Sequence, residues 1–562
     1  MTTIGITGTG PAVENVIAAV EDTSADAVRL EAGDLAQADV AVDVRPVGKS
    51  AGADRPTGAE TPLVVVELGG VGGRPVGGVN AAVSGHAPGT ACYDCLRRRV
   101  EAVGAETGGA DAESATARFA GAVAGRELAT LVAGGESPLL GGVIEVPHAS
   151  RRVLPVPYCD CAAGEDRDLR TDDGGRSLEA ALASAETAFD ERLGPIMEVG
   201  EAESFPAPYY LATLASAPFS AADPPDHAAG VGADWDPAFM KALGEALERY
   251  SAAVYRDSTF RSNPSAPVDP ARFVAPGEPP AVGSVDAWHD ARHLGTGETV
   301  QLPAEFVVFP PPERRIRPAI TTGLGLGNSG VGALCSGLYE VIERDAAMLS
   351  WYSTYEPVAL AVDDEAFEAL AARAGSEGLS VTALSLTQDV DVPVVAVCVH
   401  REGEWPRFAA GSAASLDPRG AACNALEEAV QNWLELRRMG PDRAAEESGT
   451  IGRYAAFPEA ARGFVTPATT VPAATIGPGS VPEGRAELDA LLDRLEAAGL
   501  EAYGARLTPR DVESLGFEAV RAVVPGAQPL FTDEAYFGER ARTVPETFGY
   551  EPQLDREHHP YP

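Results

Sequence analysis

The chain has 562 residues, of which 83 are acidic and 43 are lysine or arginine, and its formal net charge is −40 at pH 7. Such a charge disfavours binding to nucleic acids and anionic membranes, and it favours an origin in a salt-rich (halophilic) cytoplasm, where screening weakens the repulsion between carboxylates. A chain of this length is expected to form two or three domains.

Signals for export or membrane insertion are not found in the sequence. No run of about 18 apolar residues indicates a transmembrane helix, and the first residues lack the basic region of a signal peptide. The seven cysteines are odd in number and unevenly spaced, unlike a secreted disulfide framework. We therefore expect a cytoplasmic protein.

The chain begins with alternating strand and helix patterns, which predict an α/β domain over residues 1–165. TIGITGTG, AVRLEAG, ADVAVDVR and residues 63–68 are typical of strands, and AVENVIAAVED is typical of a helix. Gly8 and Gly10 follow the first strand as in a nucleotide-binding turn. The rest of that fingerprint is missing, and a tight connection explains the two glycines as well. The polar residues 162–178 predict an exposed linker.

A larger α/β unit is predicted over residues 180–562. Apolar periodicity indicates long helices near 237–255, 331–352, 420–438 and 485–498, after a first helix close to residue 180. Strands such as VPVVAVCV and AVRAVVP lie between or after these helices. The predicted fold class is therefore α/β, with a short first domain and a larger second one.

Four of the cysteines form two close pairs, Cys92 with Cys95 and Cys159 with Cys161. Thiolates at these spacings reach one tetrahedral Zn²⁺, and four of them close its coordination shell, so the pairs predict a structural zinc site. The alternative is four ordinary cysteines in a reducing cytosol, as expected for the other three. The arginines at 97–99 are interpreted as a helix surface, with contact to phosphate or a partner as the alternative.

The arrangement E-x-x-E-R occurs twice, at residues 245–249 and 340–344. Glutamates at positions i and i+3 share one helix face. A single motif of this kind is usually a solvated helix face, but two such faces brought together place four carboxylates in one spot, as a hard ion such as Mg²⁺ requires. The predicted Mg²⁺ ligands are Glu245, Glu248, Glu340 and Glu343.

Further motifs surround these helices. They are GVGADWDPAFMKALGEALERYSA (230–252), TTGLGLGNSGVGALCSGLYEVIERDAAMLSWY (321–352), GSAASLDPRGAACNALEEAVQNWLELR (411–437), residues 491–530 and the final HHPYP. Together they resemble the YcaO family, found in ATP-dependent cyclodehydratases that modify ribosomally made peptides. TACYDCLRRR and VLPVPYCDC make the N-terminal part similar to the ThiF-like partner domain, related to ubiquitin-activating enzymes, whose zinc ligands match these cysteines. No separate winged-helix unit for a leader peptide is identified.

The resemblance implies a reaction, cofactors and partners. A Cys, Ser or Thr side chain attacks the preceding backbone carbonyl, ATP phosphorylates the resulting oxygen, and elimination gives a thiazoline or oxazoline. Mg²⁺ would lie at the four glutamates, and the implied partners are a precursor peptide, a flavin dehydrogenase or leader-binding protein, and a second copy of the chain. The implied contacts are Arg344 with phosphate, Asn328 with nucleotide, Glu428 in the polar shell, and Pro560 and Pro562 positioning the terminus at the site.

Four positions depart from the family pattern. Val231 replaces a lysine, Lys241 a serine, Gly332 a glutamate and Asn424 an arginine. Lys241 lies one helical turn from Glu245, and it either replaces a lost phosphate-binding cation or forms an ordinary Glu–Lys pair. Azoline formation is the predicted activity. Thioamide formation with external sulfide and a non-catalytic scaffold for an active partner are the alternatives, and His558 and His559 are additional candidates for acid–base work.

Overall fold

The first unit of the protein is built around a seven-stranded sheet in the order β2-β1-β3-β4-β5-β6-β7. The computed structural model describes residues 2–48, 61–104, 112–147, 149–161, 166–446 and 450–561. Strands β1 to β4 pair in parallel, and β5 to β7 continue the sheet antiparallel. The elements are β1 (Thr3–Thr7), α1 (Pro11–Glu21), β2 (Asp26–Arg29), β3 (Val40–Pro46), β4 (Leu63–Leu68), β5 (Ala81–His86), α2 (Tyr93–Val103), α3 (Ser114–Val132), β6 (Gly142–Val146) and β7 (Ala149–Arg152).

The turn between β1 and α1 requires a glycine for packing. Gly8 has a φ of +105°, and a Cβ atom at this position would lie 2.2 Å from the carbonyl oxygen of Val44 in β3. A side chain is therefore excluded by both backbone conformation and space.

The second unit contains three further sheets within the described residues, in the orders β10-β9-β8, β12-β11-β19-β20-β13 and β17-β16-β15-β14-β18. Its strands are β8 (Ile196–Glu203), β9 (Tyr209–Leu214), β10 (His227–Val231), β11 (Trp288–His293), β12 (Thr299–Pro303), β13 (Leu324–Gly327), β14 (Val358–Ala361), β15 (Ser380–Ser385), β16 (Val394–His400), β17 (Phe408–Ala414), β18 (Thr470–Pro472), β19 (Tyr503–Arg506) and β20 (Glu518–Val523).

The helices of the second unit follow the predicted pattern, which confirms the α/β fold class. They are α4 (Leu178–Ala185), α5 (Trp235–Ala253), α6 (Gly330–Trp351), α7 (Glu365–Ser376), α8 (Pro418–Glu446), α9 (Thr450–Tyr454), α10 (Glu459–Phe464), α11 (Arg485–Ala497), α12 (Arg510–Ser514) and α13 (Arg540–Thr547). The helix α8 is interrupted at Gly440, whose φ of 78° is not helical, and Pro441 follows. Within the described residues, no helix is long and apolar enough to span a membrane.

Three strand–helix units of similar construction, β10–α5, β13–α6 and β17–α8, dominate the second unit. Each strand contains a glycine over which the helix packs, at Gly230, Gly325 and Gly411. A Cβ atom at these positions would lie 2.3, 2.2 and 2.4 Å, respectively, from a backbone atom of the helix. Glycine therefore allows each helix to lie directly on its strand, and this close packing fixes the direction of the helix.

The two units share a hydrophobic core. Leu96 and Val100 of α2 belong to the same buried cluster as Leu243 and Leu247 of α5. Because α5 carries the first E-x-x-E-R motif, the first unit supports one of the helices of the candidate site.

Arg99 is buried in this shared core, so the prediction that residues 97–99 form a helix surface is wrong for this residue. Its guanidinium group forms an ion pair with Asp511 and donates to the carbonyl oxygen of Pro155 at 3.1 Å. The buried charge is tolerated because these acceptors, contributed by a distant part of the chain, satisfy it.

The segment 166–177 joins the two units. Most of it is exposed, as predicted, but Leu169 is buried and Arg170 forms ion pairs with Glu513 and Glu518. The segment is therefore anchored to the second unit rather than a free linker. Residues 162–165 of the predicted linker lie outside the described residues. The division into domains 1–165 and 180–562 stays a prediction.

Candidate functional site

A cavity of about 630 Å³ lies where α5, α6 and α8 converge. The residues singled out in the sequence that line it are Asn328, Lys241, Glu245, Glu248, Glu340, Glu343, Arg344 and Glu428. These side chains come from separate parts of the chain and meet because the three helices pack on β10, β13 and β17, which are edge strands of three different sheets. Their individual roles stay predictions.

One glutamate in each strand–helix unit is oriented by a backbone N–H group of the same unit. The donor lies 16 or 17 positions earlier in the chain. The pairs are Ala229 N to Glu245 at 2.9 Å, Gly323 N to Glu340 at 2.9 Å, and Ser412 N to Glu428 at 2.6 Å. The sequence does not reveal β17–α8 as a third copy of this arrangement, because α8 carries Glu427-Glu428 without the E-x-x-E-R spacing.

Burial raises the pKa of Glu343 to about 8. The charge of Arg344 opposes this shift, and Glu428 and Glu340 add to it. The Arg344 guanidinium lies 3.5 Å from the carboxylate of Glu343 and 3.8 Å from that of Glu428. The hydroxyl group of Ser412 donates to Glu343 at 2.7 Å. Burial, reinforced by the neighbouring carboxylates, therefore favours the protonated form of Glu343.

Glu248 is in a similar state on the facing helix. Burial raises its pKa to about 7; Arg249 opposes the shift, and Glu340 and Glu245 reinforce it. A cation placed among these groups would restore their ionised forms, because an opposite charge nearby favours the charged carboxylate. The electrostatics of the cavity thus fit bound cations.

The arrangement suits Mg²⁺ that is shared with a bound ligand. Among the described residues, the cysteine group discussed below is the only set of three or more Cys, His, Asp or Glu ligand atoms within 4.8 Å of one another. The cavity carboxylates are spread more widely around the wall. Mg²⁺ is usually held by one or two carboxylates together with substrate phosphates and water. The carboxylates lining the cavity could supply the protein ligands of such a site.

Asn328 is held by a residue that the sequence did not single out. Its side-chain oxygen accepts from the Arg176 guanidinium at 3.1 Å, and its side-chain nitrogen donates to the Arg176 carbonyl oxygen at 3.5 Å. The guanidinium group of Arg176 also lies over the ring of Phe517, which lines the cavity, at 4.6 Å from the ring centroid. The polar composition of segment 166–177 gave no sign of this contact.

The replaced positions lie in and around the cavity. Val231 and Asn424 line it, whereas Gly332 lies in the first turn of α6, where its N–H donates to the Ser329 hydroxyl at 3.1 Å. Lys241 forms an ion pair with Glu427 of α8. The simple helical Lys241–Glu245 pair is not observed; Glu245 is paired with Arg249 at 3.2 Å instead.

Of the two C-terminal prolines, Pro560 is buried and is not among the residues that line the cavity, and Pro562 lies outside the described residues. The preceding residue, His559, is also buried, and its pKa is lowered to about 3 by burial, by His558 and by the charge of Arg344. The tail therefore lies within electrostatic reach of one cavity residue.

The four predicted zinc ligands form a compact group. The Sγ atoms of Cys92 and Cys95 lie 3.7 Å apart, those of Cys92 and Cys159 3.5 Å, and those of Cys95 and Cys161 3.7 Å. Four thiolates at about 2.3 Å from a tetrahedral Zn²⁺ are separated by about 3.8 Å, so the group fits this ion. The N–H of Val156 donates to Cys95 at 3.3 Å, as expected of a surrounding shell that orients the sulfur.

Comparisons with known proteins agree with this architecture. The YcaO family, described as YcaO cyclodehydratase with ATP and Mg²⁺ binding, matches residues 229–528. An uncharacterized protein from Methanothermobacter thermautotrophicus is 31% identical over 332 residues, which cover 56% of this chain and 85% of the relative.

Solved structures share the fold. A heterocyclase in complex with substrate and cofactor has a TM-score of 0.73 and 18% identity, covering 98% of this chain and 84% of its own. The heterocyclase TruD has a TM-score of 0.67 and 17% identity, covering 99% and 82%, respectively. YcaO from Methanopyrus kandleri bound with AMPPCP and Mg²⁺ has a TM-score of 0.50 and 24% identity, covering 63% and 91%. The family match spans more than half of the chain, and the chain belongs to the YcaO cyclodehydratase family.

Proposed function

We propose that the protein uses ATP to activate backbone amides of a ribosomally made precursor peptide and converts them into azoline heterocycles. The observation that carries this proposal is the convergence of both E-x-x-E-R motifs, with Asn328 and Glu428, on one cavity of about 630 Å³. Family membership supports the ATP and Mg²⁺ requirement, and the likeness to a heterocyclase with bound substrate supports the reaction class.

In this proposal, the glutamates of α5 and α6 hold Mg²⁺, Arg344 binds phosphate and Asn328 binds the nucleotide. Bound Mg²⁺ neutralises the phosphate charge of ATP. Glu428 and Ser412 keep Arg344 and Glu343 in place through the contacts at 3.8 and 2.7 Å. Arg176 orients the Asn328 amide. Pro560 and Pro562 position the tail beside the site.

The peptide chemistry follows from the poor leaving ability of an amide oxygen. A Cys, Ser or Thr side chain adds to the preceding carbonyl carbon, and the oxygen of the adduct takes the γ-phosphoryl group of ATP. Loss of phosphate and of the amide proton then leaves the C=N bond of a thiazoline or oxazoline. External sulfide as the nucleophile would give a thioamide by the same activation.

The proposed reaction also requires a peptide substrate and partner proteins. The precursor peptide is the substrate, and a leader-binding protein would deliver it, since no leader-binding unit is identified in the sequence. A flavin dehydrogenase would oxidise the azolines, and a homodimer is the proposed assembly.

The first unit is proposed to be ThiF-like, with one structural Zn²⁺ held by Cys92, Cys95, Cys159 and Cys161.

A non-catalytic scaffold is the second candidate, and one observation favours it. Lys241 and Arg344, two of the cavity cations, are engaged with carboxylates of α6 and α8. Val231 and Asn424, where the family carries cations, contribute no charge. A phosphate group would have to compete with these internal pairs, because charged hydrogen bonds contribute about 1.5–3 kcal/mol each.

Calorimetric titration with ATP in the presence of Mg²⁺ and molar salt separates the two candidates. The enzymatic proposal expects Mg²⁺-dependent binding that is lost in Glu343→Gln, which removes the charge that this carboxylate would carry beside a bound cation with little change of shape. Glu365→Gln, in the exposed first turn of α7, is the matched control and should bind like the wild type. If the folded wild type does not bind ATP at millimolar concentration, the scaffold is favoured.

A further inference from the structure

A second, much smaller cavity lies between β20 and the segment that precedes β13. It measures about 30 Å³, and its lining includes Arg317, Arg521 and Gln528. Val341 of α6 also lines it and directly follows Glu340, which lines the large cavity. The small cavity therefore adjoins the wall that carries the glutamates, but it shares none of their side chains.

Arg521 provides a buried donor without an acceptor. The side chain belongs to a residue that is only 2% exposed, and its two terminal nitrogens donate to the carbonyl oxygens of Ile320 and Thr321, each at 2.8 Å. Its Nε atom is buried, and no described residue offers it a hydrogen-bond acceptor. A buried donor left in this state is destabilising, so an acceptor in the cavity would stabilise the fold.

Arg317 adds a second positive charge to the same cavity. Its guanidinium group lies over the ring of Phe306, 4.8 Å from the centroid. Within the described residues, neither Arg317 nor Arg521 forms an ion pair with a carboxylate. The nearby carboxylate of Glu305 accepts from the backbone N–H groups of Ile316 at 3.0 Å and of Arg317 at 3.4 Å, and not from the Arg317 guanidinium.

The two arginines repel each other in a region of low dielectric constant. Burial, followed by the charge of Arg317, lowers the pKa of Arg521 to about 9. Glu340 and Glu248 offset part of this effect and Arg249 adds to it. Burial lowers the pKa of Arg317, and the smaller effects of Tyr536 and Glu305, which raise it, do not offset this. An anion between the guanidinium groups would relieve both the repulsion and the unpaired donor.

We propose that the small cavity is a halide site that binds chloride between Arg317 and Arg521. One water needs about 10–15 Å³ of such volume, so a cavity of about 30 Å³ admits a monoatomic anion and is too small for a nucleotide. Chloride would accept the Nε–H of Arg521 and face the guanidinium group of Arg317. This site is independent of whether the large cavity binds ATP.

Thermal unfolding of the full chain in equal concentrations of KCl and potassium gluconate tests the site. A ligand that binds only the folded state raises the melting temperature, so the wild type should melt higher in KCl. Arg317→Gln removes one of the two charges at a half-buried position and should lose the chloride-specific increase. Arg314→Gln, at an exposed neighbouring arginine, is the matched control and should keep it.

Crystals grown with KBr locate the anion directly. Anomalous scattering should show a bromide peak between Arg317 and Arg521 in the wild type and no peak there in Arg317→Gln. The proposal is overturned if the melting temperatures of the wild type are equal in the two salts, if Arg317→Gln keeps the full difference, or if bromide avoids this cavity.

Discussion

Arg99 and Asp511 lie 412 positions apart in the chain and form an ion pair in which the two side chains are 2% and 0% exposed. The hydroxyl group of Tyr250 donates to the same carboxylate at 2.5 Å and accepts from Arg99 at 3.3 Å. Because α2 begins at the cysteine group and Tyr250 lies on α5, the triad ties the predicted zinc site to a helix of the large cavity.

Removal of one partner of this pair is expected to destabilise the whole chain. Arg99→Met leaves the Asp511 carboxylate buried without its cation, which typically costs about 3–5 kcal/mol. Denaturant unfolding should show this loss. Arg97→Met is the control, because Arg97 pairs with Asp94 at the surface of the same helix at 2.6 Å, and an exposed pair contributes less than about 1 kcal/mol. Equal midpoints for the two variants would contradict the expectation.

Much of the fold and part of the site followed from local sequence patterns. Apolar periodicity predicted α5 and α6 within a few residues of Trp235–Ala253 and Gly330–Trp351, because helix formation is governed by neighbours three and four positions away. The cysteine spacing predicted a group that the structure brings together. The i, i+3 spacing of Glu245 and Glu248 predicted that they share one face of α5, and both line the large cavity.

Contacts between distant segments could not be predicted in this way. Arg99 was expected at the surface because three consecutive arginines are usually solvated, and its partner Asp511 lies in another unit. Arg176 came from a polar segment without periodicity, yet it holds Asn328. The role of Ser412 in orienting Glu428 depends on the packing of α8 over Gly411, which no local pattern records.

Metal analysis of protein purified without metal supplements should find about one equivalent of zinc per chain. The reason is the sulfur–sulfur spacing of 3.5–3.7 Å in the cysteine group. The double variant Cys92→Ser, Cys159→Ser should contain almost none. Cys423→Ser, at a cysteine outside the group, should keep the full content. Zinc near zero in the wild type would show that the four thiols serve another purpose.

The buried His559 predicts a loss of stability in acid. Its Nε2 lies 2.7 Å from the Phe531 carbonyl oxygen, which only accepts, so Nε2 carries the proton of a neutral ring. Burial, followed by the charge of His558, lowers the pKa of His559 to about 3 in the folded protein, from the ordinary histidine value of 6.5. The unfolded chain therefore binds more protons between these values, and the free energy of unfolding falls as the pH falls below 6.5.

Replacement of this histidine should weaken that dependence. His559→Gln keeps an N–H donor for Phe531 but does not titrate, so its melting temperature should fall less than that of the wild type between about pH 7.5 and about pH 5.5. The exposed His227 offers the control His227→Gln, which should follow the wild type. Identical curves for all three proteins would rule out the contribution of His559.

The net charge of −40 predicts a requirement for salt. Self-repulsion between carboxylates grows as screening is withdrawn, so transfer from molar potassium gluconate to dilute buffer at neutral pH should lower the melting temperature or unfold the chain. Gluconate keeps this ionic-strength effect separate from the chloride site. A melting temperature that does not change would contradict adaptation to a salt-rich cytoplasm.

Lys241 is predicted to bind a phosphate group of ATP after it leaves Glu427. It is one of two lysines in the chain, it lines the large cavity, and its ion pair with Glu427 holds it at the wall. Lys241→Ala should weaken Mg²⁺-dependent ATP binding about tenfold or more, which corresponds to about 1.4 kcal/mol for one charged contact. The measurement is the calorimetric Kd in molar salt.

Two further variants separate phosphate binding from a structural ion pair. Lys241→Arg keeps the charge and should retain most of the affinity, because the guanidinium group also binds phosphate. Arg118→Ala removes an exposed cation that pairs with Glu14 in the first unit and should leave the Kd unchanged. If Lys241→Ala binds ATP within twofold of the wild type, about 0.4 kcal/mol, then Lys241 serves only to pair with Glu427 and the lost family cations are not replaced from this position.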